Sequence, residues 1–392
     1  MKTTLSLLIA VALATPALRA EDAPAKSQAS ASLRNEIQLA IDKGLAWLKT
    51  TQQADGSFAN PENAQNSQDH PALTALPLAA FMREPGGRYE KQPDFLVKGY
   101  DFLRSKAQPD GGIYTKGGLS NYNTSVSLVA LLEGNDPKDE PLIEKARKFV
   151  AGQQATDMTK PELNGGFGYG PTGASPKRMH PDLDNTLISL EALKAYKTAR
   201  PTTELAAGKD LNWQAAIDFV ARCQNLTSNG QPWASEDPAN KGGFLYYPGF
   251  SNAGEQDLGG GKTALRSYGS MSYAGLLSFI YADVKPGDPR TTAALEWLKK
   301  NYTLDTNPGM ERQGYYYYLH LMTKGLSAAG VKELETADGK KVDWARDVAL
   351  KLINLQNGNG SWVNDTARWM EKDPVLVTSY AILALEILHR RM

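Results

Sequence analysis

Apolar residues recur along this chain in two alternating styles. One is an amphipathic helical period, one apolar face per turn: Ile37, Ile41, Leu45 and Leu48 first, then Leu96, Tyr100 and Leu103. The same period returns at Ile143, Ala146 and Val150, at Trp213, Ile217 and Val220, at Ala294 and Leu298, and at Ala345, Val348 and Leu352. Between these lie stretches that are apolar nearly all round: Ala72 to Phe81, Thr124 to Leu132, Thr186 to Ala195, Ser272 to Tyr281, Tyr315 to Leu326 and Val375 to Leu388. An amphipathic helix covers a core, whereas one apolar on every side is enclosed. The pattern predicts six helical hairpins, the first helix of each outside and the second inside. That is an all-α (α/α)6 toroid with two concentric helix rings, and repeats of this period point to the same class.

The connections carry a repeated spelling. Gln52-Gln-Ala-Asp-Gly56-Ser-Phe58, Gln108-Pro-Asp-Gly-Gly112-Ile-Tyr114 and Gln356-Asn-Gly-Asn-Gly360-Ser-Trp362 all read Q-x-x-x-G-x-aromatic. Glycine supplies a turn that L-residues resist, and the flat ring covers the seam between neighbouring hairpins. A hydroxyl opens most inner segments: Thr74, Thr124, Thr186, Ser272 and Thr378, with Tyr315 in the fifth. Asn123-Thr124 and Asn185-Thr186 read as helix N-cap chemistry. The inner N-termini are expected to converge on one mouth, with their positive dipole ends toward it.

These turns resemble the repeat motif of squalene and oxidosqualene cyclases, and the six hairpins resemble the toroid those enzymes share with protein prenyltransferase β subunits. The likeness runs from about Asn35 to the C-terminus, although the fifth repeat lacks the motif and the third and fourth carry loop insertions. It implies a cavity for an isoprenoid or other lipid. Asp182-Leu-Asp184-Asn185-Thr186 resembles the D-x-D-D-T acid motif of type II terpene cyclases. By that resemblance Asp184 is the proton donor of an isomerase and Asp182 the first Asp; Asn185 stands where the motif has its third. Such an acid works only if burial keeps it protonated. An Asp at a helix start is more often a cap than a catalyst, and Asp184 reads that way too.

Composition narrows the field. The 392 residues carry 43 basic and 43 acidic side chains, so no charge field favours nucleic acid. Cys223 is the one cysteine, which excludes an internal disulfide. Met1 to Ala20 reads as a secretory signal: Lys2, the apolar run Leu5 to Ala14, and small residues at Thr15-Pro-Ala17 or Leu18-Arg-Ala20. An exported protein, periplasmic or secreted, is expected, with residues 21–34 as a flexible linker, 35–392 as one toroid domain and no transmembrane segment once the signal is removed.

Other candidates cluster ahead of the inner segments. His70 and His180 precede two of them, and His320 lies within the fifth. The prenyltransferase zinc set is missing, and scattered histidines imply no metal. The run Tyr315, Tyr316, Tyr317 and Tyr318 turns about 100° per residue, so one or two rings face a cavity and the rest pack between helices; Tyr315, Tyr316 and Tyr318 are the pocket candidates. The Gly-rich segment 252–262 and Arg266 suggest a loop at the mouth without phosphate-loop spacing, so no cofactor is implied. Arg312, Arg368 and Glu371 also precede inner segments, where a polar rim and ordinary surface pairs are both open readings. Three functions remain open: a cyclase-like isomerase acting on an isoprenoid, a non-catalytic envelope protein that binds a lipid, glycan or partner, and an exported polysaccharide lyase or hydrolase, which would need paired carboxylates.

Overall fold

The computed structural model describes residues 22–392 except 61, 64, 116, 171–178 and 203–210. The signal-like residues 1–20 lie outside the described residues. Six outer helices, α1 (Asp22–Thr50), α4 (Asp94–Ser105), α6 (Glu140–Ala151), α8 (Trp213–Arg222), α10 (Pro289–Lys300) and α12 (Trp344–Asn354), alternate with six inner ones. The inner ring is α3 (Ala72–Met82), α5 (Ser120–Gly134), α7 (Leu183–Ala199), α9 (Gly269–Tyr281), α11 (Tyr315–Ala328) and α13 (Pro374–Arg391). Each inner helix packs on the next, and α13 closes on α3. The outer helices sit in the grooves between inner ones, α1 against α13 and α12. The predicted toroid and its two rings are what the structure holds.

Two local expectations change. Residues 22–34 are not a flexible linker: α1 already begins at Asp22. Ala25, Ala29 and Ala31 favour helix, Leu33 is buried, and Ser30 donates to the C-terminal carbonyl of Met392 at 3.1 Å. The Gly-rich segment after Asn252 is not an irregular loop but a β-hairpin, β1 (Glu255–Gly259) paired with β2 (Lys262–Leu265) through a turn of three left-handed glycines. A smaller hairpin, β3 (Leu334–Glu335) and β4 (Lys341–Val342), joins α11 to α12, and a short helix α2 (Gln65–Asp69) lies in the first mouth loop.

The turn motif has a mechanical meaning. Gly56, Gly165, Gly242 and Gly360 have φ between +91° and +95°. A Cβ on them would fall 2.2, 2.0, 2.3 and 2.5 Å from the carbonyl oxygens of Lys98, Ala215, Ala293 and Lys43. Those carbonyls belong to the outer helix of the next repeat: α4, α8, α10 and, for Gly360, α1. The glutamine side chain holds the same seam. Gln52 Nε2 donates to Phe95 O at 2.7 Å, Gln154 to Asn212 O at 2.9 Å, Gln224 to Arg290 O at 2.9 Å and Gln356 to Ala40 O at 2.9 Å. The third and fourth repeats therefore carry the same staple, disguised by their insertions. In the second repeat the left-handed glycine abutting Lys145 O is Gly111, not Gly112, so Gln108 stands one position out of register and its amide bonds Tyr114 O instead.

Nor do the hydroxyls cap helices. They lie in the first turns and accept from the turn: Phe58 N to Thr74 at 3.1 Å, Ile113 N to Thr124 at 2.9 Å, Phe167 N to Thr186 at 3.0 Å, Phe244 N to Ser272 at 3.1 Å, Trp362 N to Thr378 at 2.9 Å. Several inner N-termini are capped from the following repeat. Asn123 accepts from Ala72 N at 3.1 Å, Asn307 from Ser270 N at 2.9 Å and Glu371 from Tyr317 N at 2.8 Å. Capping thus welds neighbours at the mouth and satisfies amides that would otherwise be buried unpaired.

The seam glycines make a prediction. Gly360→Ala adds a clash with a helix backbone to left-handed strain and should cost about 3 kcal/mol or more. Gly330→Ala, at φ +68° with nothing within 4 Å, should cost only about 1 kcal/mol. Urea unfolding midpoints measure both, and equal losses would show that the close approach is unimportant.

Candidate active site

The inner N-termini surround a cavity of ≈ 190 Å³ at the mouth, room for on the order of ten waters or for apolar ligand atoms. Six tyrosines line it: Tyr122 on α5, Tyr317 on α11, Tyr380 on α13, and Tyr169, Tyr246 and Tyr268 from the loops. Leu73, Leu119, Ile188, Met271 and Leu376 fill the gaps between the rings.

Asp182 and Asp184 divide their work. Asp182 is fully buried and is the N-cap of α7: it accepts from Asn185 N and from Asn185 Nδ2, each at 2.8 Å, and from Tyr246. Burial, and then the nearby Asp184, push its pKa up to about 8 against the pull of these donors. Asp184 is no cap. Two residues on, its side chain reaches the cavity, where one oxygen accepts from the Tyr317 hydroxyl. Burial raises its pKa from 3.8 to about 6, and the Tyr317 hydrogen bond opposes the rise. Asp184 is the one carboxyl of this pair with an oxygen left for the cavity.

The tyrosine run resolves differently from expectation. Tyr317, not Tyr315, Tyr316 or Tyr318, faces the cavity. Tyr318 donates to Thr303 O at 2.9 Å and Tyr315 to Leu304 O, while Tyr316 packs edge-on against Tyr315. With 100° between successive side chains, one ring in four points inward and the hydroxyls of its neighbours reach loop carbonyls.

Of the other candidates, His70 and Glu371 line the cavity. Burial pulls the His70 pKa down against Asp69. Glu371 is buried and occupied: one oxygen accepts from Tyr317 N, the other from Asn364 Nδ2 at 2.5 Å. Burial raises its pKa and the α11 amides lower it, the signature of a helix-end ligand. Arg368 stands at the rim. It bonds Gln313 Oε1 at 2.5 Å and Asn252 Oδ1 at 3.2 Å, with its guanidinium 4.4 Å from the centre of the Trp369 ring. His180 packs against Tyr247 outside the cavity, with centroids 4.2 Å apart and the rings tilted by 49°, and Arg266 is exposed and does not line the cavity. His320 lies deeper, below the tyrosines. Among the described residues no three His, Cys, Asp or Glu side chains converge as a metal site, and no helix is long and apolar enough to cross a membrane.

Sequence reasoning missed five of the cavity tyrosines outright. A signal for two of them exists: Tyr169 and Tyr246 each follow a turn aromatic by two residues, Phe167 and Phe244. Residues two apart in extended backbone share a face, so a ring two places beyond the seam aromatic marks a candidate for the mouth.

No protein-family model matches the sequence, and no curated protein sequence matches it. Solved structures share the fold. A variant of the type II terpene cyclase MstE from Scytonema, in complex with its product merosterolic acid A, superposes with a TM-score of 0.54 at 14% identity, covering 92% of this chain and 99% of that one. The GH76 α-mannanase of Bacteroides thetaiotaomicron gives 0.56 at 9% identity over 91% and 96%. The GH76A α-1,6-mannanase of Salegentibacter gives 0.54 at 11% over 89% and 98%. The chain is an α/α toroid of the kind used by both enzyme classes, which at these identities speaks to architecture alone.

The raised pKa of Asp184 makes a stability prediction. A carboxyl whose folded pKa lies above its unfolded value contributes stability at low pH and loses it as pH rises through about 6. Relative to Asp184→Asn, the native protein should lose up to about 3 kcal/mol between pH 4 and pH 7. Melting curves of both proteins at the two pH values measure it; an unchanged gap would refute the buried acid.

Proposed function

We propose that the mouth cavity is the active site of a type II terpene-cyclase-like isomerase acting on an isoprenoid chain, with Asp184 as general acid. The observation that carries this reading is a single available carboxyl, raised in pKa by burial, facing a cavity walled by six tyrosines. The chemistry needs that pairing. The Asp184 O–H bond breaks as its proton adds to an alkene carbon, the resulting tertiary cation is attacked by a neighbouring double bond, and the ring-closed cation loses a proton to water. Aromatic faces attract the cation along the way, and an apolar wall withholds water until closure.

A glycan-cleaving reading needs two free carboxyls across the bond to be cut. Among the described residues the cavity lining holds two carboxyls, Asp184 and Glu371; Glu371 caps α11, and Asp182, behind the lining, caps α7, which leaves Asp184 alone. The site therefore supports proton-initiated chemistry over hydrolysis, and over a purely passive binding role.

The purified protein, incubated with squalene and with a geranylgeranyl-bearing phenol, should give cyclised product by gas chromatography and mass spectrometry. Asp184→Asn should lower the rate about 10²–10⁴-fold. The native rate should climb as pH falls through about 6, because the acid must carry its proton. Absence of product from every isoprenoid, with sugar release from mannan, would overturn the assignment.

We also infer export, on the strength of the charged, apolar and small-residue sequence of residues 1–20. Fractionation of a bacterial host should recover a mature protein outside the cytoplasm beginning at Leu18 or Glu21. Recovery of the full-length chain in the cytoplasm would exclude it.

A further inference from the structure

The mouth cavity does not end at its tyrosines. Tyr122, Ile188, Tyr317 and Tyr380 form its floor and are also the roof of a second, inner chamber of ≈ 60 Å³. By volume that chamber admits on the order of four waters. Its sides are apolar, with Val126, Val129 and Leu383 among them, but its lower end is polar: Arg83, Glu191, His320 and Lys324. Arg83 also lines a cleft open on the opposite face of the toroid, together with Glu84, Glu133 and Arg390. The axis of the ring is thus a succession of spaces from mouth to far face.

Three side chains of α11 mark this axis. Tyr317, His320 and Lys324 occupy positions i, i+3 and i+7, one stripe of the helix. Tyr317 gives its hydroxyl proton to the hydrogen bond with Asp184. His320 is buried, its ring stacked on Tyr380 with centroids 5.3 Å apart, and its Nδ1 has no hydrogen-bond partner among the described residues. Lys324 donates to Glu191 at 2.5 Å, and Arg83 to Glu133 at 3.0 Å. A buried ring nitrogen left unpaired beside a polar space of this size is a position that water fills.

We propose that the inner chamber is a proton-return path, in which water ordered by His320 and the Lys324–Glu191 pair re-protonates Asp184 through the Tyr317 hydroxyl. The inference rests on the acid role proposed above. Substrate or product packed against Asp184 keeps water off its carboxylate while water at the outer edge of the mouth takes the product proton, so the acid is recharged from the inner side. The carboxylate takes the Tyr317 hydroxyl proton, the Tyr317 oxygen takes one from a chamber water, and that water is restored by a proton passed inward from the far face. One proton enters there for each that the product cation releases to water at the mouth. His320 is a relay and positioning residue and touches no substrate.

The test separates the first turnover from those that follow. In rapid-quench experiments His320→Phe, which keeps the stacked ring and loses the nitrogen, should complete its first turnover within two-fold of the native rate and slow at least ten-fold afterwards. His320→Asn, with a polar atom near the lost Nδ1, should recover most of the later rate. Ala79 also lines the chamber; Ala79→Leu, which fills it without removing a polar group, should repeat the His320→Phe result and stands in if that variant fails to fold by near-ultraviolet circular dichroism. A second readout needs no turnover. With unreactive squalane in the mouth, the Asp184 carboxylic C=O infrared band, identified by its loss in Asp184→Asn, should exchange into D2O at least ten-fold more slowly in His320→Phe. Equal slowing of first and later turnovers, or unchanged exchange, would overturn the path. A native protein that turns nothing over but shows the exchange difference would keep the path and remove the cyclase assignment.

Discussion

The toroid depends on a close approach between backbones. At each stapled seam the carbonyl of one outer helix rests where a Cβ would stand on the preceding turn, and only glycine leaves that space open. A glutamine amide reaches from the same turn to the next outer helix and ties the two repeats. The last staple, Gln356 and Gly360 against α1, joins residues 316 positions apart and closes the ring. Closure has a consequence beyond stability. An open superhelix of the same hairpins would have no axis to enclose, whereas a closed one forces six inner N-termini toward a common point.

What gathers at that point is then governed by desolvation. Amides at the inner N-termini need acceptors, and several acceptors come from the following repeat. Glu371 and Asp182 are absorbed by this requirement, so they are poor candidates for chemistry although both are acidic and near the mouth. Asp184 escapes it because it lies two residues past the cap, where the helix turns its side chain toward the axis. The same burial that makes an unpaired carboxylate costly there makes a protonated carboxyl available at mild acidity. Structure and proposed chemistry rest on one energetic fact: the cavity resists charge, and a proton on Asp184 relieves it. The fifth repeat, which lacks the staple, supplies Tyr317 and the α11 stripe instead, its turn held by the Tyr315 and Tyr318 hydroxyls and by Asn364 donating to Arg312 O at 2.7 Å.

Sequence alone determined the architecture. Helical period, alternation of amphipathic with wholly apolar segments, and the repeated glutamine–glycine–aromatic turn depend on local geometry, so six hairpins and two rings could be read from residue order. The place of Asp182 and Asp184 at the start of an inner helix was legible for the same reason. Tertiary structure decided the rest. Which glycine of the Gly111-Gly112 pair bears the seam depends on where Lys145 O arrives from another repeat. Which Asp caps and which faces the cavity depends on the rotation of α7, and which of four consecutive tyrosines lines the site depends on the rotation of α11. Caps donated across repeats and tyrosines gathered from distant segments have no local signature, because their energy comes from partners that only ring closure brings within reach.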